Sequence, residues 1–305
     1  MTDAKSDFDV IVVGGGPSGA TAAHEIALAG HRVLLLERAF RIKPCGGAIP
    51  PCILGEFDIP RSLLKAEIQS ARMISPKAQK VDMPIEGTFV GMVDRDEFDP
   101  WLRLRAQRAG AELELAAFKS LKYLDNDTIG VTYVSRDAES EVCTATARCV
   151  LGADGARSKV ARQGVPKYAD IPWVLAYHEI VEAPSTATQN YDPERCEVWY
   201  QGKLSPDFYA WVFPHGTSAS IGVGSAFKDF SAKDSVAELR SISGLDNAPT
   251  IRKEGAPIPM KPMKRWDDGK GILVSGDAAG VVAPASGEGI YYAMLCGRLS
   301  ADAIK

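Results

Sequence analysis

The sequence has no long apolar run and no large excess of one charge. Its apolar stretches are short, such as Val10–Val13 and Val33–Leu36, whereas a membrane-spanning helix needs about 20 consecutive apolar residues. We therefore expect no spanning segment. The net charge is only −4, and the largest basic cluster, Lys261, Lys264 and Arg265, is small. Nucleic-acid binding is therefore not expected, because no positive field attracts a polyanion.

The cysteine pattern argues against two further classes. Six cysteines are spread over 305 residues without a CxxC pair, so we expect neither a disulfide framework nor a zinc site, and no other metal. The first residues, MTDAKSDFD, are polar and acidic, unlike a secretory signal or a transit peptide. These features favour a cytoplasmic location. The remaining composition, 46% hydrophobic and 24% charged, is ordinary for a globular protein with a filled core.

The stretch FDVIVVGGGPSGATAAHEIALAGHRVLLLER has the pattern of a strand, a tight turn, a helix and a second strand. Residues 8–13 form a β-branched run typical of a buried parallel strand. Residues 18–29 have helix-compatible spacing and are followed by a terminating glycine. Residues 32–36 form a second buried strand. This order predicts a nucleotide-binding βαβ unit.

The turn in this unit predicts a dinucleotide site of the form G-x-G-x-x-G. Its first glycine permits the tight turn, the second lets the backbone approach a pyrophosphate, and the third lets helix and strand pack closely. The helix N-terminus offers N–H groups to the phosphates. The acid that ends the second strand can bind ribose hydroxyls and disfavours a 2′-phosphate, which indicates FAD or NAD rather than NADP. The assigned residues are Gly14, Gly16, Pro17, Ser18, Gly19, Glu37 and Arg38.

Two more strand-to-turn motifs follow later in the chain, VLGADGARSKVAR and ILVSGDAAGVVAPASGEGI. An aspartate after an apolar strand can cap the next turn and hydrogen-bond the ribityl hydroxyls of a flavin. For either motif alone, an ordinary capped turn is an equal alternative. Both motifs together with the first turn favour a flavin site. The residues concerned are Asp154, Gly155, Gly276 and Asp277.

The order of these motifs resembles the flavoprotein hydroxylase and reductase superfamily with the p-hydroxybenzoate hydroxylase fold. The resemblance implies an α/β protein: an FAD-binding Rossmann-like domain of the glutathione reductase type with an inserted, mostly antiparallel substrate domain. By resemblance, the first turn binds the ADP part of FAD. Asp154 lies near the pyrophosphate and is a candidate to serve the reducing nucleotide, and Asp277 holds the ribityl chain. Arg95, in VDRDEFDPWL, lies near the flavin, with a solvated charge at a helix start as an equal alternative.

The strand and helix patterns predict that the FAD-binding domain is interrupted and resumed. We assign residues 1–75, 96–168 and 263–305 to the FAD-binding domain, and residues 76–95 and 169–262 to the substrate domain. The second substrate segment is rich in aromatic and β-branched residues, which favours antiparallel strands.

A closer resemblance, to the geranylgeranyl reductase family, rests on KPCGGAIPP, SPDFYAWVFPHG and GDAAGVVAPASGEGIYYAM. It extends from about Phe8 to the end of the chain and is closest for the branch that acts on the prenyl tail of chlorophyll or bacteriochlorophyll. Members of that family continue beyond the helix that ends here at Lys305. The resemblance therefore implies that part of the family's C-terminal region is absent from this chain.

The resemblance implies that the protein reduces FAD with NADPH and transfers hydride to the carbon–carbon double bonds of a geranylgeranyl group, giving a phytyl group. The substrate is either geranylgeranyl diphosphate or the chain already esterified to a (bacterio)chlorophyllide. Because both partition towards lipid, peripheral association with a photosynthetic membrane is expected. Two alternatives stay open: a flavin monooxygenase of an aromatic substrate, and a non-catalytic prenyl-binding protein.

The loop KPCGG is assigned to the catalytic centre through Cys45, Gly46 and Gly47. In the family fold this loop lies against the isoalloxazine ring, where the glycines let the backbone approach and Pro44 limits the loop's freedom. A thiol there could donate the proton that accompanies hydride addition, which is the favoured role, or oxidise reversibly with a partner thiol. A buried, inert cysteine is the structural alternative.

Tyr209, Trp211 and Phe213 alternate along a predicted strand and are assigned to substrate binding, since aromatic walls suit an isoprenoid chain. Tyr209 and Trp211 are favoured because their polar tips can face the flavin or solvent, whereas ordinary sheet core is favoured for Phe213. His178 and His215 are expected to be structural, because the sequence shows no acid or nucleophile partner for either.

Gly287 and Gly289, at the start of a helical run, are the last residues assigned to cofactor binding. N–H groups at a helix start can stabilise negative charge on a reduced flavin. Glu288 fits this role poorly, and we expect it to cap the helix.

Overall fold

The computed structural model describes residues 6–124, 127–136, 141–168 and 171–305. The helices are α1 (Pro17–Leu28), α2 (Cys52–Glu56), α3 (Arg95–Arg108), α4 (Lys159–Gly164), α5 (Ala232–Ile242) and α6 (Ile290–Ile304). The strands are β1 (Phe8–Val13), β2 (Val33–Glu37), β3 (Ala48–Ile49), β4 (Leu64–Ile68), β5 (Ser70–Ile74), β6 (Lys80–Pro84), β7 (Val90–Val93), β8 (Glu112–Tyr123), β9 (Ile129–Ser135), β10 (Val142–Gly152), β11 (Trp173–Glu182), β12 (Arg195–Trp199), β13 (Ala210–His215), β14 (Ser218–Ser225), β15 (Thr250–Pro259) and β16 (Ile272–Val274).

The chain divides into two compact units. The first contains the described residues of Met1–Arg41, Asp99–Pro172 and Pro259–Lys305, and the second contains Ile42–Phe98 and Trp173–Ile258. Residues 42–75, which the sequence assigned to the FAD-binding domain, therefore belong to the second unit. The later boundary expected between residues 168 and 169 touches residue 169, which lies outside the described residues.

The first unit is built on a six-stranded sheet. β8, β2, β1, β10 and β16 run parallel in that order, and β9 pairs antiparallel with the outer parts of β8 and β10. Alternate residues of β1 enter different cores, because successive strand side chains point to opposite faces. Val10 and Val12 pack with Ile26 of α1 and Ala301 of α6. Ile11 and Val13 enter the other core, which includes residues of β9, β10 and α4.

The second unit contains a seven-stranded sheet, with the order β15-β11-β14-β13-β12-β5-β6, and a three-stranded sheet, β3-β7-β4. The pairings from β11 to β12 are antiparallel, and β12 with β5 is parallel. On one face, Val212, Ile221 and Val223 pack with Val236 and Leu239 of α5. The α/β class with a mostly antiparallel second sheet, as expected from the sequence, is confirmed.

Among the described residues, no helix has both the length and the hydropathy needed to cross a membrane.

Candidate functional site

The glycine-rich turn between β1 and α1 is tightly closed on itself. Gly14 has φ +107°, and a Cβ there would lie 2.3 Å from the carbonyl oxygen of Ala153. A Cβ on Gly19 would lie 1.9 Å from the carbonyl oxygen of Gly14. Both positions therefore require glycine, the first because its left-handed φ and its backbone neighbour each exclude a side chain.

Gly16 differs from its neighbours because open space surrounds it. Its backbone is ordinary, with φ −78° and ψ −174°, and nothing lies within 4 Å of the place a Cβ would take. Among the described residues, no side chain caps the first turn of α1, which begins at Pro17. An open cradle beside an uncapped helix N-terminus is the arrangement that binds a phosphate group. The residues present therefore fit a dinucleotide cofactor.

Glu37, at the end of β2, holds the turn in place. One carboxylate oxygen accepts the N–H of Gly15 at 2.7 Å, and the other accepts the N–H of Ala39 at 3.0 Å. A carboxylate offers about four acceptor positions, so each oxygen can also bind a ribose hydroxyl. The adjacent Arg38 is exposed.

The motifs that the sequence assigned to flavin binding meet within the first unit. The backbone of Asp154 lies against Gly14, whose Cβ would be 3.1 Å from the Asp154 Cα. Ser18 of α1 and Ser275, directly before Gly276, share a hydrogen bond of 2.7 Å between their hydroxyls. The strand ends therefore bring all of these motifs to one edge of the sheet.

The carboxylate of Asp154 caps α4. It accepts hydrogen bonds from the Ser158 hydroxyl and from the N–H groups of Lys159 and Val160. Burial raises the pKa of Asp154, and these hydrogen bonds only partly oppose it. Gly155 follows with φ +83°. The backbone of Asp154, rather than its carboxylate, is thus the part that faces the dinucleotide turn, and its role near the pyrophosphate stays a prediction.

Glu288 caps α6, as expected. Its carboxylate accepts the N–H of Tyr291 at 2.8 Å. Burial raises the pKa of Glu288, and the nearby Asp277 acts in the same direction. Gly287 has φ +68° and Gly289 forms the N-cap of the helix. Since a carboxylate of the protein already meets this helix end, the expected stabilisation of a reduced flavin there stays a prediction.

In the second unit, Tyr209, Trp211 and Phe213 form a continuous aromatic face on and just before β13. The ring centroids are 5.9 Å apart for Tyr209 and Trp211, and 6.2 Å apart for Trp211 and Phe213. Gly222 pairs with Trp211 across the sheet, and a Cβ there would lie 2.2 Å from the indole ring. The glycine on β14 therefore creates the room that Trp211 occupies.

The polar tip of Trp211 is not directed to solvent. The residue is 4% exposed, and its indole N–H donates to the Ser220 hydroxyl at 3.1 Å. Tyr209 is also buried, and this burial raises its pKa. Phe213, which the sequence placed in the core, is the more accessible of the three aromatic residues. Their assignment to substrate binding stays a prediction.

The loop with Cys45 lies along this aromatic face. A Cβ on Gly46 would lie 3.1 Å from the ring of Phe213, and one on Gly47 would lie 2.5 Å from the ring of His215. Gly47 has φ +78°. Cys45 is half-buried, and its sulfur accepts the N–H of Gly47 at 3.4 Å. The thiol and the aromatic residues assigned from the sequence are therefore brought together in one unit.

Two family models match the chain. One, described as an FAD binding domain, covers residues 61–295, and one described as an FAD dependent oxidoreductase covers residues 9–48. The geranylgeranyl diphosphate reductase of Rhodobacter capsulatus is 57% identical over 297 residues, which make up 97% of this chain and 74% of that protein. The chain belongs to the geranylgeranyl diphosphate reductase family.

A plant member of the family and a solved structure agree with this result. The chloroplastic geranylgeranyl diphosphate reductase of Oryza sativa subsp. japonica is 38% identical over 312 residues, covering 97% of this chain and 66% of that protein. A geranylgeranyl bacteriochlorophyll reductase-like protein from Thermoplasma acidophilum has a TM-score of 0.86 and 26% identity, covering 97% of this chain and 77% of that one. The chain thus spans about two thirds to three quarters of the length of these relatives. The expected flavoprotein family, its fold and its FAD cofactor are confirmed.

The two histidines that the sequence assigned to structural roles each have an acid partner, which the sequence did not show. His215 Nδ1 lies 2.9 Å from Asp94 Oδ1, and His178 Nε2 lies 3.1 Å from Glu254 Oε2. Each acid comes from a different strand or loop than its histidine. Sequence spacing therefore could not pair them.

Arg103 and Ser275 also escaped the sequence analysis. Arg103, on α3, donates to the carbonyl oxygen of Gly15 at 3.2 Å while its guanidinium lies over the Phe40 ring. In the run WLRLRAQR nothing distinguishes this arginine from its neighbours. Ser275 had a usable signal, since it directly precedes the Gly276-Asp277 pair. Arg95 is buried, with 6% exposure, so the alternative of a solvated charge is wrong.

Proposed function

We propose that this protein is an FAD-dependent reductase of the carbon–carbon double bonds of a geranylgeranyl group, giving the phytyl form. The observation that carries the proposal is the 57% identity, over 97% of the chain, to the Rhodobacter capsulatus protein named geranylgeranyl diphosphate reductase. The dinucleotide turn of the first unit, together with the thiol and aromatic face of the second, supplies the groups that this chemistry needs.

FAD, when bound, supplies the hydride. Gly14, Gly16 and Gly19 let the backbone and the N-terminus of α1 reach the pyrophosphate, and Glu37 binds the ribose hydroxyls. Ser18 of α1 and Ser275, which directly follows β16, are joined by a hydrogen bond of 2.7 Å. Asp277 binds the ribityl chain in this proposal. The binding task thus falls on the edge where the motifs of the first unit meet.

The second unit positions the alkene and supplies a proton. Isolated alkenes are poor hydride acceptors, so the protein must hold the bond in a reactive geometry and exclude water. Phe213, Tyr209 and Trp211 offer apolar surface to the isoprenoid chain. Cys45 gives its S–H proton to one alkene carbon while the hydride reaches the other. The sulfur is left as a thiolate that accepts the Gly47 N–H and regains a proton from solvent.

We further propose NADPH as the electron donor and a lipid-like substrate. Glu37 disfavours a 2′-phosphate in the dinucleotide turn. NADPH would therefore bind outside this turn, and its chemistry would be to reduce the bound FAD. The substrate is geranylgeranyl diphosphate or geranylgeranyl-(bacterio)chlorophyll. Because both partition towards lipid, the enzyme associates peripherally with a photosynthetic membrane.

The test starts with the purified protein and its absorption spectrum. We expect an oxidised-flavin spectrum that bleaches anaerobically with NADPH. Incubation with geranylgeranyl diphosphate, and separately with geranylgeranyl-bacteriochlorophyll, should give products heavier by one hydrogen molecule for each reduced bond. Incorporation of oxygen would show a monooxygenase. A colourless protein that binds the prenyl chain unchanged would show a carrier.

A further inference from the structure

His215 holds the catalytic loop through a backbone carbonyl. It is the last residue of β13, lies on the same face as Trp211 and Phe213, and is 7% exposed. Its Nε2 lies 3.0 Å from the carbonyl oxygen of Gly46. Because a carbonyl oxygen only accepts hydrogen bonds, Nε2 carries the proton.

The second ring nitrogen of His215 faces a carboxylate. Nδ1 lies 2.9 Å from Oδ1 of Asp94. Burial alone would raise the pKa of Asp94, but His215, Lys65 and Arg252 outweigh it and hold the pKa below its usual value. Asp94 is therefore an anion at neutral pH. The ring of His215 is therefore held between the Asp94 carboxylate and the Gly46 carbonyl.

One peptide unit connects this ion pair to the thiol. The Gly46 carbonyl bound by His215 and the Gly47 N–H bound by the Cys45 sulfur belong to the same planar peptide group. Glycine on both sides would let this peptide rotate at little steric cost. Because the imidazole N–H holds the carbonyl, the N–H on the opposite side of the peptide is oriented towards the sulfur.

We propose that His215 and Asp94 are positioning residues that lock the Gly46–Gly47 peptide with its N–H directed at the Cys45 sulfur. The inference rests on the role proposed above for Cys45, since it explains how the thiolate left after proton donation is stabilised. The charged group paired with His215 is Asp94, on which the Lys65 and Arg252 cations also act.

The experiment measures the alkylation rate of Cys45 by iodoacetamide, as a function of pH, on the FAD-loaded protein. Only the thiolate reacts, and fragmentation mass spectrometry distinguishes Cys45 from the exposed Cys52 in the same segment. His215→Leu should slow alkylation of Cys45 at neutral pH by about tenfold, as expected when the hydrogen bond that orients the Gly46–Gly47 peptide is lost, and move the profile to higher pH. His215→Gln, which keeps an N–H donor, should give an intermediate profile, and Asp94→Asn should shift it in the same direction.

His178→Gln is the matched control, because His178 is also buried and also paired with an acid, Glu254. It should leave the Cys45 profile unchanged, and Cys52 should react alike in every variant. If the leucine variant does not fold, the glutamine variant decides. A Cys45 profile that overlays the native one in a folded His215 variant overturns the proposal. Because alkylation needs no prenyl substrate, failure of the native protein to reduce alkenes would contradict the proposed function without moving this result.

Discussion

In the proposed reaction, Cys45 donates a proton and then recovers it. Its sulfur is half-buried and accepts one peptide N–H at 3.4 Å. Cys149 and Cys196 contrast with it, because burial raises the pKa of each thiol to about 12, which makes them poor proton donors and inert packing residues. A general acid must return to its protonated form in every cycle, so the proposed role needs a thiol that can exchange protons with solvent, as the half-buried Cys45 can.

Replacement of Cys45 tests this role. We expect Cys45→Ser to lower the rate of alkene reduction by about a hundredfold or more, the usual contribution of a general acid, while NADPH reduces the flavin at nearly the native rate. Stopped-flow absorbance measures the flavin step, and product mass analysis measures the alkene step. Cys52→Ser, in the same segment, should change neither. Equal loss of both steps in Cys45→Ser would indicate a structural thiol.

In the proposed function, the turn between β1 and α1 is the element on which cofactor binding depends. Its glycines have different roles. A side chain on Gly19 would collide with the Gly14 backbone, whereas Gly16 faces open space. Substitution can therefore separate the folding of the turn from the binding of the dinucleotide.

We predict different outcomes for two alanine variants of this turn. Gly19→Ala should open the turn, destabilise the protein by about 2 kcal/mol and abolish FAD binding. Gly16→Ala should leave the stability of the FAD-free protein within about 0.5 kcal/mol but weaken FAD binding by about tenfold or more. Thermal unfolding of the FAD-free protein and flavin fluorescence titration measure the two effects.

Gly55→Ala is the control for these variants, because nothing lies within 4 Å of its Cβ position in α2 and alanine favours a helix. It should leave FAD affinity unchanged and raise stability by up to about 1 kcal/mol. Native FAD affinity in Gly16→Ala would show that the open space at this glycine is not the phosphate cradle.

At the scale of the whole molecule, each unit has its own core. The stability of the second unit depends on a buried ion pair between α5 and the seven-stranded sheet. Arg240 of α5 donates to Glu179 of β11 at 2.6 Å and also to the carbonyl oxygens of Leu245 and Ala248. The pair is almost entirely buried, with side-chain exposures of 11% and 8%. Removal of one partner from such a pair leaves an uncompensated buried charge.

We expect Arg240→Met to lower the free energy of unfolding by about 3 kcal/mol at neutral pH, measured by urea denaturation with tryptophan fluorescence. Glu238, on the same helix as Arg240, forms an exposed ion pair with Lys203. Glu238→Gln breaks this pair and should lower the free energy of unfolding by less than about 1 kcal/mol. A similar cost for both variants would contradict the assigned role of Arg240.

The stability difference between the native protein and Arg240→Met should depend on pH. Burial alone would raise the pKa of Glu179, but hydrogen bonds from Tyr177, Arg240 and Lys253 outweigh it and lower the pKa from its ordinary value of 4.5. A lowered carboxyl pKa contributes stability that is complete above the unfolded value and is lost as the pH falls through the folded value. The difference should therefore be constant near neutral pH and shrink below about pH 4.5.

The local features of this fold could be read from the chain. The bounds of β1 match the expected residues 8–13, because an apolar run that ends at glycines is a property of neighbouring residues. The need for Gly14 in its turn and the capping of α6 by Glu288 are local for the same reason. The alternation of the aromatic residues also placed Trp211 and Phe213 on one face of β13.

Only the tertiary structure decided which distant groups meet. The sequence does not show that Asp94 faces His215, that Gly222 makes room for Trp211, or that Ser18 bonds to Ser275. These contacts join residues far apart in the chain, and they depend on strand order and register, which are set by burial of whole faces rather than by neighbouring residues. The sequence therefore determined the parts and the chemistry of the site, and packing determined the partners that hold its side chains in place.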